Sequence, residues 1–130
     1  MTPRNTATLG LRGEEAAARY LSEHGYHVLH RRFRYGKKEI DIIARTKDLL
    51  VFVEVKARSF SPVNFRRFGR PCLAVDTEKR RCLRQAATAY LRSLDRPLRV
   101  RFDVIEVYFE QDPPQNLLSL HHMPDAFRAE

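Results

Sequence analysis

Most of what would tie this chain to a membrane, an oxidising compartment or a zinc-stapled fold is missing. No apolar run approaches the ~20 residues that a helix needs to cross a bilayer. The longest are short stretches such as Leu49-Leu50-Val51-Phe52-Val53, so no membrane partner is expected. There are only two cysteines, Cys72 and Cys82. Their spacing gives neither a ligand set nor a disulfide framework, which suits a reducing compartment. No apolar h-region follows Met1-Thr2-Pro3-Arg4, so the expectation is a cytoplasmic protein without a secretory signal. Zinc-ligand patterns and the aromatic repeats of RNA-binding domains are also absent. Acids are outnumbered, 16 Asp and Glu against 24 Lys and Arg, for a net charge of +8. A surplus of that sign attracts polyanions and leaves two readings open, a nucleic-acid partner or a generic basic surface.

At 130 residues, 43% of them hydrophobic, the chain suits one domain with its own core. Leu11 to Gly25 reads as an amphipathic helix closed by glycine, with Leu11, Ala18 and Leu21 on its packing stripe. Tyr26 to Tyr35 alternates loosely, as an edge strand does. Gly36-Lys37-Lys38 makes a tight connection to a second strand at Glu39 to Ala44, and Leu49 to Lys56 forms a third. Ser59 to Asp76, with Pro62, Gly69 and Pro71, reads as a long basic loop. Asp76-Thr77 caps a helix to about Leu94, and Val100 to Phe109 is a last strand of central character. The expected organisation is a domain over 10–110, a flexible N-terminal segment over 1–9, and a C-terminal tail over 111–130.

Asp41, Glu54 and Lys56 carry the candidate chemistry. Glu54 and Lys56 lie two apart on one strand and so share a face. Asp41 on the preceding strand can approach Glu54 laterally if the register permits. Two acids beside a core repel each other, and Mg²⁺ or Mn²⁺, which prefer oxygen ligands, would relieve that repulsion. Asp41 and Glu54 are the expected metal ligands, with the Val55 carbonyl as another. Lys56 would orient or deprotonate a water, or stabilise a phosphate. A solvent-facing salt bridge between Glu54 and Lys56 is the plainer alternative. Glu14 falls on the inward stripe of the first helix, although a glutamate at the solvent boundary favouring the helix dipole fits the same position.

These residues sit in longer matching stretches. Gly13-Glu14-Glu15-Ala16-Ala17, Glu39-Ile40-Asp41-Ile42-Ile43-Ala44, Val51-Phe52-Val53-Glu54-Val55-Lys56-Ala57-Arg58 and Arg101-Phe102-Asp103-Val104 resemble the UPF0102 (YraN-like) family. That family is similar to archaeal Holliday-junction resolvases within the restriction-endonuclease-like superfamily. The resemblance implies an α/β/α sandwich with a mixed central sheet, in the order helix, three-strand meander, helix, strand. It implies a metal-dependent, structure-selective DNA endonuclease acting on branched DNA as a homodimer. Glu14, Asp41, Glu54 and Lys56 match the catalytic positions. A noncatalytic nucleic-acid binding or scaffold protein that keeps the fold is the alternative. One departure is Lys38, where family members commonly carry glycine.

Arg58, Arg66, Arg67, Arg70, Lys79, Arg80 and Arg81 are the candidate phosphate contacts. Lys79 and Arg80 stand in the first turn of a helix, a poor place for cations unless an anion arrives there. His121-His122 reads as a polar tail element, and Asp103 as a buried structural acid paired with arginine or as a further ligand.

Overall fold

The computed structural model describes residues 6–60, 76–95 and 98–128. Helix α1 (Thr6–Glu23) leads into β1 (His27–Tyr35), β2 (Lys38–Thr46) and β3 (Leu49–Phe60), followed by α2 (Thr77–Leu91), β4 (Arg99–Glu110) and β5 (Leu117–Phe127). The strands form one sheet in the order β1-β2-β3-β4-β5. β3 and β4 pair in parallel and every other pair is antiparallel. A parallel neighbour requires a crossover, and α2 lies on the one between β3 and β4. The fold is a mixed five-strand sheet with a helix on each face, compatible with the expected restriction-endonuclease-like sandwich.

Two apolar layers follow from that arrangement. Ala17 and Leu21 of α1 pack on Ile42, Ala44, Val51, Val53, Ile105 and Val107. Leu83, Ala86, Ala87 and Tyr90 of α2 pack on Ile40, Ile43, Leu50, Phe52, Phe102 and Val104. With both faces covered, β4 is buried without interruption over 102–109, as a central strand should be. Phe102 stacks on Phe52 at 5.5 Å and on Phe127 at 4.9 Å between ring centroids.

The helices begin and end for local reasons. Tyr26 N–H donates to Leu21 O while Gly25 takes φ +87°, a glycine-terminated helix end. The Asp76 carboxylate accepts the Lys79 N–H at 2.8 Å, which is the expected cap. Gly13 is demanded by packing: a Cβ there would lie 2.7 Å from the Ala57 Cβ, so α1 crosses β3 at a distance only glycine permits.

Three expectations need correction. α1 starts at Thr6, so 6–9 belong to the helix and not to a flexible segment. β3 runs on to Phe60, taking the first two residues of the expected loop; 61–75 lie outside the described residues. β4 is not the last strand, because β5 pairs with it from Phe102↔Phe127 to Phe109↔Leu117. Most of the expected tail is therefore sheet.

Candidate active site

The β2–β3 ladder ends at Ile42↔Val53. Just beyond that point the Val55 N–H donates to the Asp41 Oδ2 at 2.8 Å. Alternation in β2 breaks at the same place: Ile40 packs on the α2 side, whereas Ile42 and Ala44 pack on the α1 side. Residues two apart share a face in a regular strand, so Asp41 occupies the irregularity. Its neighbour in β1 is irregular too. Arg32 lies between the pairs Arg31↔Ile42 and Phe33↔Ile40 and has φ +56°, a left-handed conformation that costs a non-glycine residue about 1–2 kcal/mol.

Glu54 follows Phe52 on the α2-facing side and is 4% exposed. Its Oε2 lies 3.4 Å from Lys79 Nζ and 3.6 Å from Lys56 Nζ. Among the described residues its buried Oε1 has no hydrogen-bond partner, which is costly for a carboxylate oxygen. Burial foremost, then the hydrogen bond to Glu54 and the charge of Glu54, push the Asp41 carboxyl up to about 8, against the pull of Val55 N–H and Lys79. The two acids cannot comfortably both ionise, as expected for carboxylates sharing one site.

On the other side of Asp41 stand Glu14 of α1 and Glu39 of β2. One carboxylate oxygen from each of Glu14, Glu39 and Asp41 lies within 4.8 Å of the others. Gly13 sets this arrangement, since its close approach to Ala57 brings the next residue, Glu14, to the sheet. Burial raises the Glu14 carboxyl; the Arg32 hydrogen bond opposes that rise, and Asp41 adds to it. Arg32 Nε lies 3.1 Å from Glu14 Oε1, and Arg34 Nε 3.2 Å from Glu39 Oε2.

Asp41 thus joins two groups: Glu14 and Glu39 on one side, Glu54 with Lys56 and Lys79 on the other. A hard divalent ion fits what these residues offer, an all-oxygen donor set with mutual repulsion to relieve and one buried oxygen that lacks a donor among the described residues. Glu14, Glu39, Asp41 and Glu54 are the side chains that could hold it. Val55 stands at the site through the N–H that fixes Asp41. Glu39 was not among the sequence candidates, although its spacing of two from Asp41 was the available signal.

The basic candidates separate. Arg58 continues the Glu54–Lys56 face of β3 and is half-buried. Lys79 reaches the site itself. Arg80 sets its guanidinium 5.5 Å from the Phe127 ring centroid, and Arg81 pairs with Glu78 at 3.1 Å. Arg66, Arg67 and Arg70 lie outside the described residues, as does Cys72.

Asp103 is a structural acid and not a ligand. It accepts Arg101 Nε and Nη2 at 2.8 and 2.7 Å, and the Asp125 N–H at 3.0 Å. His122 Nε2 lies 2.7 Å from its Oδ2 and His122 Nδ1 lies 3.1 Å from the Tyr20 hydroxyl. Burial pushes the Asp103 carboxyl up, but the hydrogen bonds from His122 and Arg101 outweigh it and hold the group below its ordinary value. His122 is therefore part of a network tying β5 to β4 and α1, which corrects its reading as a tail residue.

A family model described as "Uncharacterised protein family UPF0102" matches residues 13–107, a span that includes every acid of the site. The UPF0102 protein of Chlorobium phaeobacteroides is 41% identical over 126 residues, 94% of each chain. That of Geobacter metallireducens is 42% identical over 123 residues, 92% of each. That of Acetivibrio thermocellus is 44% identical over 109 residues, 82% of this chain and 80% of its own.

Proposed function

The chain belongs to the UPF0102 family, and on that footing we propose that it is a metal-dependent, structure-selective endonuclease hydrolysing DNA phosphodiester bonds. The observation that carries this reading is Glu54: a carboxylate buried beside Asp41, one of its oxygens without a donor among the described residues, and Lys56 two residues along the same strand face. Mg²⁺ or Mn²⁺ held by these acids would supply Lewis-acid polarisation of a nonbridging phosphate oxygen and a bound water acidic enough to attack near neutral pH.

The protein's own residues set the rest. Val55 N–H orients Asp41, Glu14 and Glu39 complete the oxygen donors, and Lys56 presents an ammonium to the scissile phosphate and its attacking water. Lys79 and Arg58 extend positive charge from the site toward the flanking backbone. Contacts of this kind read phosphate position and duplex shape rather than base sequence. Branched DNA is the substrate the reading favours, and cutting two of its strands calls for a homodimer with two such sites.

The test incubates purified protein with branched, flapped and linear DNA in Mg²⁺ or Mn²⁺. Cleavage of the branched substrate is expected. Asp41→Ala and Glu54→Ala should abolish it, and Lys56→Ala should slow it by about 10²–10⁴-fold. Binding without cleavage that survives Asp41→Ala would instead support a noncatalytic scaffold.

A further inference from the structure

β1 brings an arginine to Glu14, one of the converging acids. Arg32 falls between the pairs Arg31↔Ile42 and Phe33↔Ile40, the stretch of the β1–β2 ladder that also skips Asp41; it adopts a left-handed backbone conformation in the middle of a strand and places Nε 3.1 Å from Glu14 Oε1. The conformation is unusual for arginine, and ladder pairs hold it on both sides. Strained backbone of this sort concentrates at functional positions.

The contact engages only part of the guanidinium. Among the described residues no hydrogen bond uses the two Nη groups of Arg32, and the side chain is 43% exposed. It borders an open groove of about 430 Å³ lined by Leu11, Glu15, Arg31 and Arg32. An arginine with its terminal fork turned to solvent is matched in geometry to a phosphate.

Glu14 is at once the partner of Arg32 and one of three acids whose oxygens converge within 4.8 Å. On the other side of Asp41 the buried Glu54 Oε1 has no hydrogen-bond partner among the described residues, an independent sign that a cation belongs beside Asp41. A guanidinium and a divalent ion cannot both neutralise Glu14 without repelling each other. Occupying the acids with metal must weaken the hold of Glu14 on Arg32.

We propose that Arg32 is an exchangeable counter-ion: it neutralises Glu14 in the metal-free protein and becomes a DNA-phosphate ligand when a divalent cation takes over the acids. Metal binding and DNA binding are thereby coupled, each favouring the other. The inference rests on the metal-dependent reading above and adds to it a named residue through which metal controls substrate affinity.

The variants are Arg32→Asn, because asparagine tolerates the left-handed backbone, and Arg32→Lys, which keeps the charge. Two quantities are measured: Mn²⁺ affinity by calorimetry, and affinity for a labelled branched DNA by anisotropy, in EDTA and in Ca²⁺. Arg32→Asn should bind Mn²⁺ more tightly than wild type, and Arg32→Lys should return toward the wild-type value. Arg32→Asn should lose about tenfold in DNA affinity in Ca²⁺ and less than about twofold in EDTA. If wild type binds Mn²⁺ but Arg32→Asn does not tighten it, or loses DNA affinity equally in EDTA and Ca²⁺, the exchange is wrong and the nuclease reading stands. If wild type binds no Mn²⁺, both fall together.

Discussion

At the scale of single residues, the site is a problem of like charges held close together beside a core. Asp41 shows it best. Its ordinary carboxyl value is 3.8 and its value in the fold is about 8, so the folded protein holds a proton that the unfolded chain has released. The contribution of Asp41 to stability is fully present below pH 3.8 and is lost as pH rises through about 8. Denaturation in EDTA should therefore show the Asp41→Asn protein gaining on wild type between those limits, by about 1 kcal/mol or more at pH 8. An unchanged difference between pH 4 and pH 8 would show that Asp41 is not strained. Asp41, Glu54 and Lys56 were legible in the sequence because strand alternation puts 54 and 56 on one face and an apolar run fixes the strand. Arg32 was not, because its place beside Glu14 depends on a register break that no periodicity encodes; Glu39 carried only the weaker signal of lying two residues before Asp41. Lys79 was read as a phosphate contact; that it reaches Glu54 follows from how the Asp76 cap seats α2 on β3.

At the scale of elements, two contacts decide whether the site assembles. α1 delivers Glu14 only because Gly13 lets it approach Ala57. Gly13→Ala should cost about 1–3 kcal/mol through overpacking. Because Glu14 is the next residue, it should also weaken Mn²⁺ binding, measured by calorimetry under conditions where the variant is fully folded. A variant that loses stability but keeps wild-type Mn²⁺ affinity would detach Glu14 from the site. β5 was missed for a physical reason. Its sequence carries His121, His122, Pro124 and Asp125 where an alternating strand would carry apolar residues, and an edge strand needs only one buried side. Phe127 on Phe102 and His122 on Asp103 supply the attachment that periodicity did not announce. Phe127→Ala should destabilise the protein by about 3–5 kcal/mol, read from urea denaturation; a loss below about 1 kcal/mol would make β5 a peripheral strand. The meander β1–β3, the capped α2 and the central β4 were all legible, from the turn residues between the strands, the helical spacing of the α2 apolar stripe and the apolar runs of β3 and β4.

At the scale of the whole molecule, the net charge of +8 and a mixed sheet that gathers its acids at one end, beside basic residues, form a single design. On the proposed reading the surplus would attract a polyanion, and the acids would hold the cation that acts on it. DNA affinity should fall steeply with salt, with a logarithmic slope of roughly −0.9 for each phosphate neutralised; titrations at several ionic strengths measure it, and a flat dependence would remove the electrostatic role of the basic surface. Among the described residues no helix is long and apolar enough to cross a membrane. The central claim is that Asp41 and Glu54 are held in place to bind a divalent metal ion. Mn²⁺ titration calorimetry on wild type and Asp41→Ala tests it most directly. The account predicts saturable binding to wild type, with a heat that depends on the buffer because the Asp41 proton is released, and no binding to Asp41→Ala. No heat with the wild type, or equal binding to both proteins, would contradict it.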